Sequence, residues 1–273
     1  VMYGSRNIID MGWYSDSSQS ALAGDHGKNT LTVGGNIEVT GKQSGGAQII
    51  DADTTVRFGQ GEGLMHVGSG AGTGNLTLGY GATFNYLAMG GKKTVEFDGT
   101  VRTMEESKAV FNFDAHDGVT SATANDFTLS AAGGFITDRR AGGGQTSGEI
   151  HVTTNQNVAR DDKLTINGNL KALRQDGLIT VNTWGGDDTL TINGDLYAGR
   201  QYNADRDGGT IRVDTGKSAG DSLTINGNVR ADSSQAHIAL VSNKITVDAK
   251  GGQNGTGNGD RNAVSAEAGS TLS

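Results

Sequence analysis

A seven-residue phrase recurs in the second half of this chain, and a recurring phrase narrows the possible folds more than any composition figure does. Leu164-Thr165-Ile166-Asn167-Gly168-Asn169-Leu170 returns as Leu190-Thr191-Ile192-Asn193-Gly194-Asp195-Leu196, and again as Leu223-Thr224-Ile225-Asn226-Gly227-Asn228-Val229. The copies start 26 and then 33 residues apart. Between them lie further alternating stretches, Ile179-Thr180-Val181, Ile211-Arg212-Val213 and Ile238-Ala239-Leu240. Each unit therefore holds three short strands, which in the first copy are 164–166, 169–172 and 178–182. Every strand alternates apolar and polar residues with the period of two that puts one face inward. The difference in length falls in one place, where Arg200 to Gly208 replaces the shorter stretch around Arg174 to Gly177. Loops absorb insertions and strands do not, so a protruding loop is expected there.

Asn-Gly and Asp-Gly steps are also hairpin signals, but repetition favours a coil. If each copy stacks on the previous one, identical residues lie above one another and the apolar positions become continuous inward columns. The expected architecture is all-β: a right-handed, single-stranded parallel β-helix with three short strands per coil. Leu164, Leu190 and Leu223 form one expected column. Asn167, Asn193 and Asn226 form another at a corner, where stacked amides can hydrogen-bond to one another. Gly168, Gly194 and Gly227 are expected to supply the positive φ of a tight corner. Weaker copies are read upstream at Leu31-Thr32-Val33-Gly34-Gly35-Asn36-Ile37, Leu76-Thr77-Leu78, Val95-Glu96-Phe97-Asp98-Gly99-Thr100-Val101 and Phe127-Thr128-Leu129, and downstream at Ile245-Thr246-Val247. Eight or nine coils at about 4.8 Å each would make a rod on the order of 40 Å long. Residues 1–28 fit no copy and are expected to be an irregular or capping first region, with Trp13 and Tyr14 packing; residues 29–273 carry the repeats.

Composition agrees with a thin, elongated core: 45 glycines, no proline, 34% hydrophobic and 19% charged residues. Turns must rely on Gly, Asn and Asp. No cysteine is present, which excludes disulfides, thiolate metal sites and a cysteine nucleophile, and is compatible with export through an oxidising compartment. A net charge of −8 and a pI near 5 argue against nucleic acid or anionic membranes as partners. No apolar run is long enough for a membrane-spanning helix, so no direct membrane insertion of this segment is expected. The ending reads as the start of another strand, so the chain is expected to be a piece of a longer one.

The phrase Leu-Thr-Ile-Asn-Gly-Asn-Leu, with its Gly-rich acidic connectors and the closing Ala266-Glu267-Ala268-Gly269-Ser270-Thr271-Leu272, resembles the passenger β-helix of Gram-negative autotransporters over about Thr30 to Leu272. The resemblance implies secretion through a C-terminal membrane barrel elsewhere in the parent chain, an extracellular location on the bacterial surface, and a role in adhesion or autoaggregation with self-association or a host or glycan surface as partner. It says nothing of an activity, because passengers share the stem and differ in what they display.

Three motifs invite catalytic or metal readings. Gly220-Asp221-Ser222-Leu223 spells the nucleophile block of a family of serine esterases, but the sister repeats have Asp161-Asp162-Lys163-Leu164 and Asp187-Asp188-Thr189-Leu190 at the same place, so Ser222 sits in an ordinary turn. Gly185-Gly186-Asp187-Asp188 resembles the paired aspartates of β-helical pectin-cleaving hydrolases, whose two carboxylates act across a glycosidic bond; the accompanying blocks are absent, and solvated turn carboxylates are the expected reading. Asp162, Asp187, Asp188 and Asp221 also brush a calcium-binding repeat, although the nine-residue period is missing, and weak calcium binding through hard oxygen ligands is the one cofactor expectation. His26, His66, His116, His151 and His237 lack metal-ligand spacing. No catalytic residue is expected. The main function expected is an adhesive or self-associating rod with polar outward positions such as Thr165, Thr180, Thr191, Arg212 and Thr224. The alternatives are a passive stalk for an effector elsewhere in the chain, or a polysaccharide-cleaving enzyme using a cleft near Arg200 to Asp207.

Overall fold

In the computed structural model the described residues are 6–11, 28–40, 42–44, 48–50, 53–59, 61–70, 72–79, 81–89, 91–103, 109–114, 125–138, 148–154, 160–173, 177–183, 185–199, 209–231, 236–248 and 263–267. The Arg200 to Gly208 loop, Arg174, Trp13, Tyr14, His26, His116 and the chain after Glu267 lie outside them.

Among the described residues there are strands and no helix. They form three all-parallel sheets of nine, eight and seven strands, with one antiparallel pair, Lys42–Ser44 with Gln48–Ile50, set apart. The chain visits the sheets in rotation. Lys163–Asn167 belongs to the eight-stranded sheet, Leu170–Leu173 to the seven-stranded sheet and Leu178–Asn182 to the nine-stranded sheet; Thr189–Asn193 then returns to the first of these, one coil higher. The protein is thus a parallel β-helix with three strands per coil. Arg6–Met11, in the region that fits no repeat, pairs in parallel with Asp53–Phe58 as a strand of the nine-stranded sheet.

The register stacks the repeated phrase on itself: Leu164 pairs with Leu190 and Leu190 with Leu223, and all three are buried. Phe127 and Ile245 extend that column on either side. Three of the weaker copies are placed differently. Leu76-Thr77-Leu78 lies in the seven-stranded sheet, paired with Ile37 to Val39 and Val101 to Thr103, so it corresponds to Leu170-Lys171-Ala172 and not to Leu164-Thr165-Ile166. Leu31 and Val95 stack through Met65 and Leu129 onto Ile166, two positions along from the expected partner Leu164. The cause is the width of one corner. Six positions carry the chain from Val95 to Val101 and from Leu129 to Phe135, but four suffice from Ile166 to Leu170. The wide coils use the extra two residues to lengthen the strand, giving the seven-residue Gly91–Phe97 and Asn125–Ala131 against five-residue Lys163–Asn167.

Those wide coils carry an additional inward column, Val67, Phe97 and Ala131, and the core beside it is aromatic. Phe84, Phe97, Phe111, Phe113, Phe127, Phe135 and Tyr86 are all buried; Phe113 lies 6.2–6.4 Å, centroid to centroid, from Phe84, Phe97, Phe111 and Phe135, and Tyr86 stacks on Phe127 at 5.7 Å. The narrow coils above are filled by Leu, Ile, Val and Ala.

Candidate functional site

Three surfaces or clusters follow from this stacking. The first is the outward face of the eight-stranded sheet. Because the side chains alternate, the residue between the two inward apolar positions points out, and register places Thr94, Thr128, Thr165, Thr191, Thr224 and Thr246 in one column. Beside it runs the amide ladder: Asn226 Nδ2 donates to Asn193 Oδ1 at 2.7 Å, Asn193 Nδ2 to Asn167 Oδ1 at 2.7 Å, and Asn167 Nδ2 to Ser130 Oγ at 3.0 Å. Each amide is polarised by the next, so the ladder ties neighbouring coils together with directional bonds. Of the expected ligand-display residues, Thr165, Thr191 and Thr224 therefore share one face, while Thr180 and Arg212 stack on the nine-stranded sheet.

The glycines after the asparagines differ from expectation. Gly168 has φ +136°, but Gly194 and Gly227 do not adopt positive φ. They are held to glycine by close stacking: a Cβ on Gly194 would lie 2.3 Å from the Gly168 carbonyl oxygen, and one on Gly227 2.3 Å from that of Gly194.

The second surface is a shallow depression of about 340 Å³ on the nine-stranded sheet, lined among others by Asn85, Asn112, Asp114, His151, Thr180 and Asn182. Asn112 Nδ2 donates to Asn85 Oδ1 at 2.8 Å, and His151 contacts Thr180 Oγ1 at 2.7 Å and Glu149 Oε2 at 2.9 Å. His66 pairs with Asp98 on a different face, where that hydrogen bond holds the Asp98 carboxyl below its usual range.

The third is the corner between the nine- and eight-stranded sheets. The expectation of solvated turn carboxylates at Asp187 and Asp188 is met by Asp187 and corrected at Asp188, which is 0% exposed and stacks between Asp162 and Asp221, themselves 2% and 1% exposed. Each of the three buried aspartates lies two positions before an inward leucine and so shares its inward parity. Each carboxylate caps the backbone of the coil below: Asn125 N–H donates to Asp162 Oδ1, Asp162 N–H to Asp188 Oδ1, and Asp188 N–H to Asp221 Oδ1, all at 2.8 Å. Burial pushes all three carboxyls up, Asp188 to about 7. Asp187, by contrast, is exposed and accepts the Gly220 N–H at 3.1 Å. Among the described residues no group of three or more acidic or histidine side chains converges to hold a metal ion. Ser222 opens the strand Ser222–Ile225, with its hydroxyl 3.5 Å from that of Thr189.

A buried lysine was not foreseen. Lys93 occupies an inward position of the leucine column, below Phe127, is 1% exposed, and donates through Nζ to the Gly61 carbonyl. Gly63 beneath it makes the room, since a Cβ there would lie 2.7 Å from Lys93 Cδ. Comparison with known protein-family models, with curated proteins and with solved structures returns no match, so what identifies this chain is its architecture, a parallel β-helix of stacked three-strand coils.

Proposed function

We propose that this chain forms part of a rod on a bacterial surface, of the autotransporter-passenger kind, that acts by adhesion or self-association without catalysis. The observation that supports this reading best is the outward face of the eight-stranded sheet. Six stacked threonines beside the Asn167–Asn193–Asn226 ladder form a long strip of hydroxyls and amides. Such a strip offers donors and acceptors at a repeat of about 4.8 Å, which suits a partner that is itself repetitive, such as a second rod or a glycan. It gives weak bonds individually and useful affinity only when many engage together.

The test is sedimentation of the purified chain over a concentration series, with and without calcium, alongside binding to cells and immobilised glycans. Concentration-dependent association that is weakened by Thr165→Lys with Thr191→Lys supports the reading. A strict monomer that binds neither cells nor glycans would sink it and leave a stalk. Turnover of acidic polysaccharides is expected to be undetectable.

A further inference from the structure

Five residues occupy one register position at the corner between the nine- and eight-stranded sheets. They are Asn125, Asp162, Asp188, Asp221 and Asn243, each immediately before or beside the paired residues Asp126, Lys163, Thr189, Ser222 and Lys244. By register an amide thus stands at either end of three stacked carboxylates: Asn125 is buried and bonded to Asp162, while Asn243 is half-buried and donates to the Ala219 carbonyl oxygen at 2.7 Å. A second polar ladder lies alongside, at the ends of the strands of the nine-stranded sheet: Thr154, Thr183, Thr215 and Ser242, all 0% exposed.

The three carboxylates are not equally provided for. Asp221 accepts the Asp188 N–H at Oδ1 and the Ser218 N–H at Oδ2, at 2.8 and 2.6 Å. Asp162 accepts the Asn125 N–H at 2.8 Å and the Asn125 side-chain amide at 3.4 Å, and Arg160 attracts it. Asp188 has one firm donor, the Asp162 N–H, and its Oδ2 is buried without a hydrogen-bond partner. The Thr183 hydroxyl comes near enough to favour its charged form but makes no well-aligned bond. Asp188 is also the one with a like charge both above and below. A buried oxygen with neither solvent nor donor is costly as an anion, and a proton relieves both the desolvation and the repulsion.

We propose that Asp188 binds a proton at Oδ2 in the folded rod, and that the Asp162–Asp188–Asp221 column makes the narrow coils a pH-responsive section that tightens in mild acid and loosens as pH rises. This inference stands apart from the adhesive reading and survives its failure. The other charged groups bearing on the column are Asp187, which raises Asp221 from the neighbouring connector, Asp214 at the end of Thr210–Asp214, itself bonded to Arg212, and Arg160 beside Asp162. The outward face of Leu178–Asn182 adds no ionisable side chain.

The sign follows from linkage. With Asp188 pushed up to about 7 and an unfolded aspartate near about 3.9, its contribution to stability is complete below the unfolded value. It is lost progressively as the pH climbs from there through the folded value. The wild-type melting temperature should therefore fall between pH 5 and pH 8, by on the order of 5 °C. Asp188→Asn, which puts into the column the amide already found at its two ends, should flatten that fall and leave the pH 8 melting temperature above wild type. Glu62→Gln, an exposed carboxylate on a strand of the wide coils, should leave the slope unchanged. A wild-type slope that persists undiminished in Asp188→Asn would assign it to groups outside the column and overturn the proposal. Should that variant fail to fold, carboxyl carbon NMR of the wild type decides: one aspartate titrating near neutrality is expected, and all aspartates ionised by pH 5 would refute it.

Discussion

The wide aromatic coils and the narrow aliphatic coils are built on the same three-strand plan, yet they solve the packing problem differently. Around Phe97 and Phe113 the strand of the eight-stranded sheet runs to seven residues and a further inward column opens, because phenyl rings need a larger cross-section than Leu and Ile. Above Leu164 the strand shortens to five, the column ends, and the corner becomes an Asn-Gly turn stitched to its neighbours by side-chain amides. One half holds its coils together by ring contacts that tolerate irregular corners. The other depends on identical corners repeating in register.

The sharpest way to break that contrast is truncation in the two cores. Phe113→Ala removes a ring in contact with four others and is expected to cost about 3–5 kcal/mol in chemical denaturation, whereas Ile192→Val in the narrow coils should cost about 0.5–1.5 kcal/mol. Corner substitutions should reverse the ranking. Gly194→Ala places a methyl 2.3 Å from a backbone oxygen and should destabilise by roughly 1–3 kcal/mol, while Gly34→Ala, with nothing within 4 Å, should change stability little. A thermal melt of each pair checks this, and equal losses would mean that the corners do not set the narrow coils' stability. Asn193→Ala cuts the ladder in its middle and should cost about 1 kcal/mol. The smallest effect belongs to the aromatic section: Tyr86→Phe removes a buried hydroxyl without a partner, whose ionisation burial strongly opposes, and should stabilise by up to about 1 kcal/mol.

The narrow half was legible in the sequence because its corners do not vary. Leu164, Leu190 and Leu223 mark the same position of the same coil, and counting from them places the Asn ladder as well. The wide half was not, for two reasons. A corner two residues longer shifts the match, so Leu31 and Val95 look like Leu164 but stack on Ile166; and Leu76-Thr77-Leu78 has the alternation of every strand in the molecule, so the string alone cannot tell one sheet from another. The burial of Asp188 is hidden by its residue type and set by its parity: Asp162, Asp188 and Asp221 alternate in phase with the leucines that follow them. Lys93 breaks the apolar pattern of its column and left as its only trace the glycine at Gly63, one coil below.

The amides at the two ends of the carboxylate column bear on how such a rod can grow. An array that lengthens by copying a coil would insert another like charge into the same buried line with every copy. Repulsion within that line rises with each addition, while the stacking itself brings each carboxylate a single backbone N–H from the coil below. Duplication of this unit therefore carries its own brake, and the arrays able to extend further are those in which an added coil arrives with asparagine, as at Asn125 and Asn243, in place of aspartate.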